Sequence, residues 1–232
     1  MGAALHHELP QSAISKARAL VMLGMPGAGK GTQAREISQE FGIPEISTGA
    51  ILREAVDHKT PMGLAVRPII EAGDLVPDSL VAALVEERIG KPDCARGFVL
   101  DGFPRNLDQA SILDQLLQAR KWGNVLALYI RVDPGLLFKR LTGRRECPRC
   151  GRIYNIYLNP PREAGVCDQD GARLIHRKDD SEEVIRNRFK EFESQTLPLI
   201  EQYRNRKLLF EVDGSGEPRS ITERIFRLLR EQ

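Results

Sequence analysis

A short apolar run, Ala19 to Leu23, opens directly into Gly24-Met-Pro-Gly-Ala-Gly29-Lys30, and residues 32–41 carry helical composition with no breaker until Gly42. Strand, glycine-rich turn and helix, in that order, form the context a phosphate-binding loop requires. The arrangement sets an α/β architecture, in which ligands gather at the carboxyl ends of the strands. Glycines let consecutive backbone N–H groups face an anion, because no Cβ blocks the approach. The helix N-terminus adds unpaired N–H groups and partial positive charge. Lys30 supplies a point charge for the β- and γ-phosphates. Gly27, Ala28, Gly29, Lys30, Gly31 and Thr32 are the candidate triphosphate contacts. One detail departs from the strict G-x-x-x-x-G-K-S/T form: Gly31 follows the lysine and the hydroxyl comes at Thr32. A ligand-free β–α turn would need neither the lysine nor this spacing, so the reading is a nucleoside triphosphate site.

The chain has 232 residues, enough for one large or two small domains with an ample core. With 41% hydrophobic and 28% charged residues it is no disordered chain. A net charge of +2 is too small to imply a nucleic-acid or membrane partner. No apolar run approaches the roughly 18 residues of a membrane span. Residues 1–17 lack the apolar core of a signal peptide and read as a mobile extension; His6-His7 is too short for an affinity tag. Three of the four cysteines fall in one short region, which suggests metal binding in a reducing, cytoplasmic setting over a disulfide framework.

Beyond the first helix, Ile43 to Ser47 reads as a short strand running into a Ser/Thr helix cap. Helices are expected over 50–59 and 63–72, split by Thr60-Pro61, then over 79–89 with Leu80, Leu84 and Val85 on one face. Several small helices between strands suggest an inserted binding lobe at about residues 47–76. Phe98 to Leu100 is a buried strand that ends in Asp101-Gly102-Phe-Pro104-Arg105. An acidic residue at that point can organise Mg²⁺ or its water shell, or it can cap a helix; Arg105 four residues on favours the first role. A helix over 106–119, a strand over 125–132 and a helix over 134–141 follow. After the segment 142–180, rich in turn formers, the chain is helical from Ser181 for some 25 residues, bent near Pro198. A strand over 208–212 and a helix over 219–230 close the chain.

Within 142–180 stands C-x₂-C-x₁₆-C-x₂-D: Cys147, Cys150, Cys167 and Asp170. Two knuckle-like pairs at this spacing resemble a small zinc ribbon with a carboxylate in place of the fourth thiolate, and Zn²⁺ accepts such an oxygen. Cys94 lies apart and reads as a buried filler.

Taken together, the chain resembles adenylate kinase, in its long-lid form with a metal-binding lid, from Arg18 to the C-terminus. The motifs are G-M-P-G-A-G-K-G-T (24–32), I-S-T-G-A-I-L-R (46–53), G-F-V-L-D-G-F-P-R (97–105), G-R-R (143–145) and R-K-D-D (177–180). The resemblance implies a P-loop nucleoside-monophosphate-kinase fold: a five-stranded parallel sheet flanked by helices, an inserted helical NMP lobe at 47–76 and a small, mostly-β lid at 143–180. It implies the reversible, Mg²⁺-dependent reaction of ATP and AMP to give two ADP, in a monomer, with structural Zn²⁺ in the lid. By position, Thr48, Arg53, Gly102 and Arg105 resemble AMP contacts, Leu75 and Val76 contacts to its base, and Gln109 the amide that reads the adenine edge. Lys30, Arg144, Arg177 and Arg188 resemble the clamp on the transferring phosphoryl group, with Arg177 and Arg188 also reaching AMP and Arg144 ATP. Asp101 resembles the organiser of hydrated Mg²⁺. Asp179 and Asp180 are expected to pair with lid arginines. The residue types suit the chemistry independently, since in-line phosphoryl transfer asks for positioning and charge stabilisation and no covalent nucleophile.

Three departures from the family pattern stand out. Ala50 follows S-T-G where many relatives carry an acidic residue. V-D-G-S-G-E-P (212–218) lacks a lysine found in some relatives, leaving backbone such as Gly216 to contact the donor base. His176, before Arg177, has no role and reads as exposed. Two rivals remain: another nucleoside-monophosphate kinase, using GTP or accepting UMP or CMP, and a nucleic-acid-binding zinc-ribbon protein with an accessory ATPase. The long lid and Gln109 speak against a pyrimidine acceptor, while the donor, ATP or GTP, stays open; 6% aromatic content and near-neutral charge speak against the second rival.

Overall fold

The structure, a computed structural model, describes residues 19–123 and 125–231. The extension expected over 1–17 lies outside the described residues. Five parallel strands form the central sheet in the order β2-β3-β1-β4-β7: β1 (Ala19–Leu23), β2 (Glu45–Ser47), β3 (Phe98–Asp101), β4 (Val125–Arg131) and β7 (Leu209–Asp213). All five residues of β1 are buried, as a central strand covered on both faces must be. Its side chains alternate between two cores. Ala19, Val21 and Leu23 meet α4 (Asp78–Ile89), α5 (Leu107–Ala119) and α8 (Leu197–Asn205). Leu20 and Met22 meet α1 (Lys30–Phe41), α6 (Pro134–Thr142) and α9 (Pro218–Arg230) on the other face.

Between β2 and α4, two short helices, α2 (Thr48–Asp57) and α3 (Pro61–Ala72), pack against each other. Thr60 caps α3 by accepting from Gly63 N–H at 3.0 Å, and Pro61 takes the first turn, where its missing donor costs nothing. A Cβ placed on Gly63 would lie 1.9 Å from the Ala55 carbonyl oxygen, so glycine is what permits the close approach of the two helices. Between α6 and α7 (Glu182–Glu191) the chain forms a two-stranded antiparallel ribbon, β5 (Arg144–Glu146) and β6 (Ile153–Asn155). Its own small core is Cys147, Tyr154, Cys167 and Leu174.

Some boundaries differ from expectation. β2 starts at Glu45, because Pro44 has no N–H for the ladder, although its carbonyl accepts from Val99. In α4 the buried face is Val81, Ala82, Val85 and Ile89, while Leu80 and Leu84 sit at its edge. The long helical run expected after Ser181 continues to Asn205, but its irregularity lies upstream of Pro198. Residues Phe192–Thr196 form a π-turn in which Leu197 N–H reaches back to Phe192 O, and Pro198 falls harmlessly into the first turn of α8. Among the described residues no helix is long and apolar enough to cross a membrane.

Candidate active site

The chain leaves β1 toward one side of the sheet and β3 toward the other, and the crevice at their carboxyl ends is where an open α/β sheet binds ligand. β1 runs into the glycine-rich loop. Gly24, Gly27 and Gly29 all have positive φ, at 150°, 84° and 94°. A Cβ on Gly24 would meet Ile130 O at 2.8 Å, whereas one on Gly29 would meet nothing within 4 Å, so Gly29 borders open space at the N-terminus of α1. Lys30 folds back over this loop and donates to Gly24 O (2.7 Å) and Met25 O (3.1 Å). Burial pulls its ammonium down to a pKa of about 8; Asp101 opposes this, and Arg105, Arg188 and Arg144 add to it. Those causes place five charged side chains around one point.

β3 delivers Asp101 beside Gly31, whose Cβ position lies 3.2 Å from Asp101 Oδ2 and 4.0 Å from Glu45 Oε1. Burial and the neighbouring Asp101 raise the Glu45 carboxyl to about 7, with Arg35 opposing. Gly102 (φ 89°) makes the turn after β3; a Cβ there would sit 2.7 Å from Thr48 Oγ1. Arg105 Nε donates to Gly102 O at 2.9 Å.

A cavity beneath these turns is lined by Lys30, Thr48, Arg53, Leu75, Val76, Gly102, Arg105, Gln109 and Arg188. Elements far apart in the chain bring them together: α1, α2, the α3–α4 turn, the β3 turn, α5 and α7. Arg144 and Arg177 do not line it and join through acids. Arg144 holds Asp180 by two bonds, Nε–Oδ2 at 2.7 Å and Nη2–Oδ1 at 2.6 Å. Arg188 Nη1 donates to Asp179 Oδ2 and Asp180 Oδ1, both at 3.2 Å. Arg177 pairs with Glu146. Burial pushes the Asp179 carboxyl up, but Arg188, Arg144, Arg53 and Arg177 together hold it below the ordinary range. Arg53 and Arg188 are each lowered to about 10, burial first, with neighbouring arginines contributing. The site is a concentration of positive charge held together by three acids, Glu146, Asp179 and Asp180, ready to exchange them for phosphate oxygens.

Gln109 is buried at the cavity wall with both ends of its amide engaged: Nε2 donates to Asp78 Oδ1 (2.7 Å) and Oε1 accepts from Arg105 N–H (2.8 Å). Asn106 Nδ2 donates to the same Asp78 carboxylate. Sequence reasoning missed Asp78, which falls just before the helix expected over 79–89, and Thr196, whose hydroxyl donates to Arg105 O at 2.7 Å. Asp78 had one signal: an acid opening a helix, where it complements the dipole. Gly216 lies in the turn between β7 and α9, away from the cavity lining. Ala50 costs α2 no cap, because Ser47 Oγ accepts its N–H at 3.4 Å. His176 is exposed.

The four candidate metal ligands converge: their donor atoms all lie within 4.8 Å of one another. Cys150 Sγ and Cys167 Sγ are 3.7 Å apart, and Cys147 Sγ is 3.3 Å from Asp170 Oδ2. Sulfurs about 2.3 Å from a tetrahedral Zn²⁺ stand about 3.8 Å apart, so the donor set fits that ion. Ala172 N–H donates to Asp170 Oδ1 and holds its carboxyl down at about 2; Tyr154 Oη lies 3.5 Å from Cys167 Sγ. Such outer partners orient ligands.

A family model described as adenylate kinase matches residues 22–208. The chain is 44% identical over 210 residues to an adenylate kinase of Clostridium tetani, covering 90% of this chain and 97% of that one. It is 45% identical over 213 residues to one of Thermosipho melanesiensis (91% and 99% covered). With one of Thermodesulfovibrio yellowstonii it shares 46% over 213 residues (92% and 99% covered).

Proposed function

The chain belongs to the adenylate kinase family, and from that premise we propose how its residues divide the transfer of a phosphoryl group from ATP to AMP. The observation that carries the assignment is the convergence of Lys30, Arg53, Arg105 and Arg188 on the crevice between the phosphate loop and the Asp101 turn, with Arg144 and Arg177 held nearby by Asp180 and Glu146. A triphosphate and a monophosphate meeting in line need that much compensating charge.

On the donor side, the N–H groups of Gly27 to Thr32 cradle the ATP phosphates, and backbone around Gly216 meets the donor base. Lys30 leaves the carbonyls of Gly24 and Met25 for the phosphate oxygens. Arg144, Arg177 and Arg188 leave their acids to follow the charge as it develops. On the acceptor side, Arg53 and Arg105 hold the AMP phosphate and Thr48 and Gly102 border it. Leu75 and Val76 cover the base, and Gln109 reads its edge by exchanging Asp78 for adenine. Magnesium, bound with ATP, neutralises the β- and γ-phosphate oxygens, and Asp101 is placed to hold its water shell.

Residues 47–76 serve as the acceptor lobe and 143–180 as a lid that excludes water. Lys178 Nζ, 3.3 Å from Glu71 Oε1, supports a lid that seats on that lobe. Zn²⁺ on Cys147, Cys150, Cys167 and Asp170 is structural, since four protein ligands leave no open position. None of the four cysteines is paired in a disulfide, in keeping with a cytoplasmic protein. One chain supplies every group in the cleft, so a monomer suffices.

Initial rates with ATP or GTP as donor and AMP, CMP or UMP as acceptor test the assignment. ATP with AMP should dominate; faster turnover with a pyrimidine acceptor would overturn the adenine role of Gln109.

A further inference from the structure

The proposed lid touches the core at a place the chemistry above does not use. Arg35, on the outer flank of α1 just beyond Lys30 and Thr32, sends Nη2 to the carbonyl oxygen of Gly151 at 3.2 Å. The two residues are 116 positions apart. Gly151 follows Cys150 directly, has φ 69°, and donates its N–H to Cys147 O at 3.0 Å. The direction of its carbonyl is therefore set by the knuckle that carries the metal ligands. A Cβ at this position would come within 3.4 Å of the same Arg35 nitrogen, so the guanidinium lies close against the knuckle backbone.

We propose that Arg35 is a positioning residue that docks the tip of the lid on the phosphate-loop helix, holding Arg144 over the bound triphosphate. Two attachments with different tasks result. The pair of Arg144 and Asp180 closes the lid at its base. The bond from Arg35 to Gly151 fixes its far end against the helix whose first turn binds phosphate. A cation reaching a main-chain carbonyl is a directional contact that needs no acidic partner in the lid. The inference rests on the lid assignment and adds to it a contact that acts on the donor nucleotide alone.

The test compares Arg35→Ala and Arg35→Lys with wild type, all zinc-loaded. Docking predicts that Arg35→Ala raises KM for ATP about three- to tenfold, the worth of one hydrogen bond. KM for AMP and the thermal midpoint should not change, and Arg35→Lys should recover most of the loss. With a non-transferable ATP analogue bound, amides over 147–152 should exchange faster in Arg35→Ala than in wild type. The inference is overturned if both KM values move together, if neither moves, if the midpoint falls, or if lysine is no better than alanine. Wild type that failed to convert ATP and AMP would instead refute the functional assignment, so the two failures are distinct.

Discussion

Lys30 rests on two carbonyls of its own loop, and that resting place shapes its chemistry. Lys30→Met should fold normally and lose about 10²–10³ in turnover, since a preorganised charge aimed at the transferring group is gone. A folded variant with near-normal rates would refute the phosphate-loop role. The lowered pKa adds a pH signature. Below pH 8 the ammonium is charged and binds phosphate; above it the neutral amine binds weakly. The ratio kcat/KM for ATP, which reports the free enzyme, should therefore fall above about pH 8, close to tenfold per unit. Lys30→Arg, slower throughout, should lack that limb because a guanidinium does not titrate there.

Among the elements, the α2–α3 pair depends on one missing side chain. Gly63→Ala drives a methyl into the Ala55 carbonyl, which only a shift of one helix can relieve. It should cost about 1–3 kcal/mol and raise KM for AMP before KM for ATP, as melting curves and initial rates would show. The ribbon β5–β6 depends on its proposed metal, because its own core is four residues. Removing one ligand, as in Cys147→Ser, should lower zinc content below one per chain and lower the thermal midpoint, yet leave turnover at low temperature. Free zinc-finger peptides gain about 10–16 kcal/mol from metal, an upper bound for a segment tethered at both ends. Arg144→Ala should do the opposite: zinc content and midpoint near wild type, turnover greatly reduced. Loss of turnover at low temperature in folded Cys147→Ser would put the metal nearer the chemistry.

For the whole molecule, stability should carry the mark of Glu45. Its folded pKa of about 7 stands above the ordinary 4.5, so the folded state holds a proton that the unfolded chain releases. Stability from this group is present below pH 4.5 and is lost as pH rises through 7. Glu45→Gln should therefore stabilise the protein by about 1–2 kcal/mol at pH 8, after allowance for partial solvent screening, and by nothing near pH 4. Equal midpoints at pH 8 would refute the buried-carboxylate reading. What sequence could show of this molecule follows the range of its interactions. The phosphate loop, the helix break at Thr60-Pro61 and the cysteine knuckles are legible because backbone rules and ligand spacing act within a few residues. The hydrogen bonds from Gln109 to Asp78, from Thr196 to Arg105 and from Arg35 to Gly151 are not, since they join residues 31, 91 and 116 positions apart. The π-turn was hidden for a related reason: a proline marks where a helix must change but not on which side of it.

Arg144 and Asp180 stand side by side although 36 positions separate them. The chain thus leaves the core and rejoins it through a single doorway. What lies beyond it can be lengthened, trimmed or stripped of its cysteines without redrawing a strand of the core. Such a segment is wired as a detachable cassette.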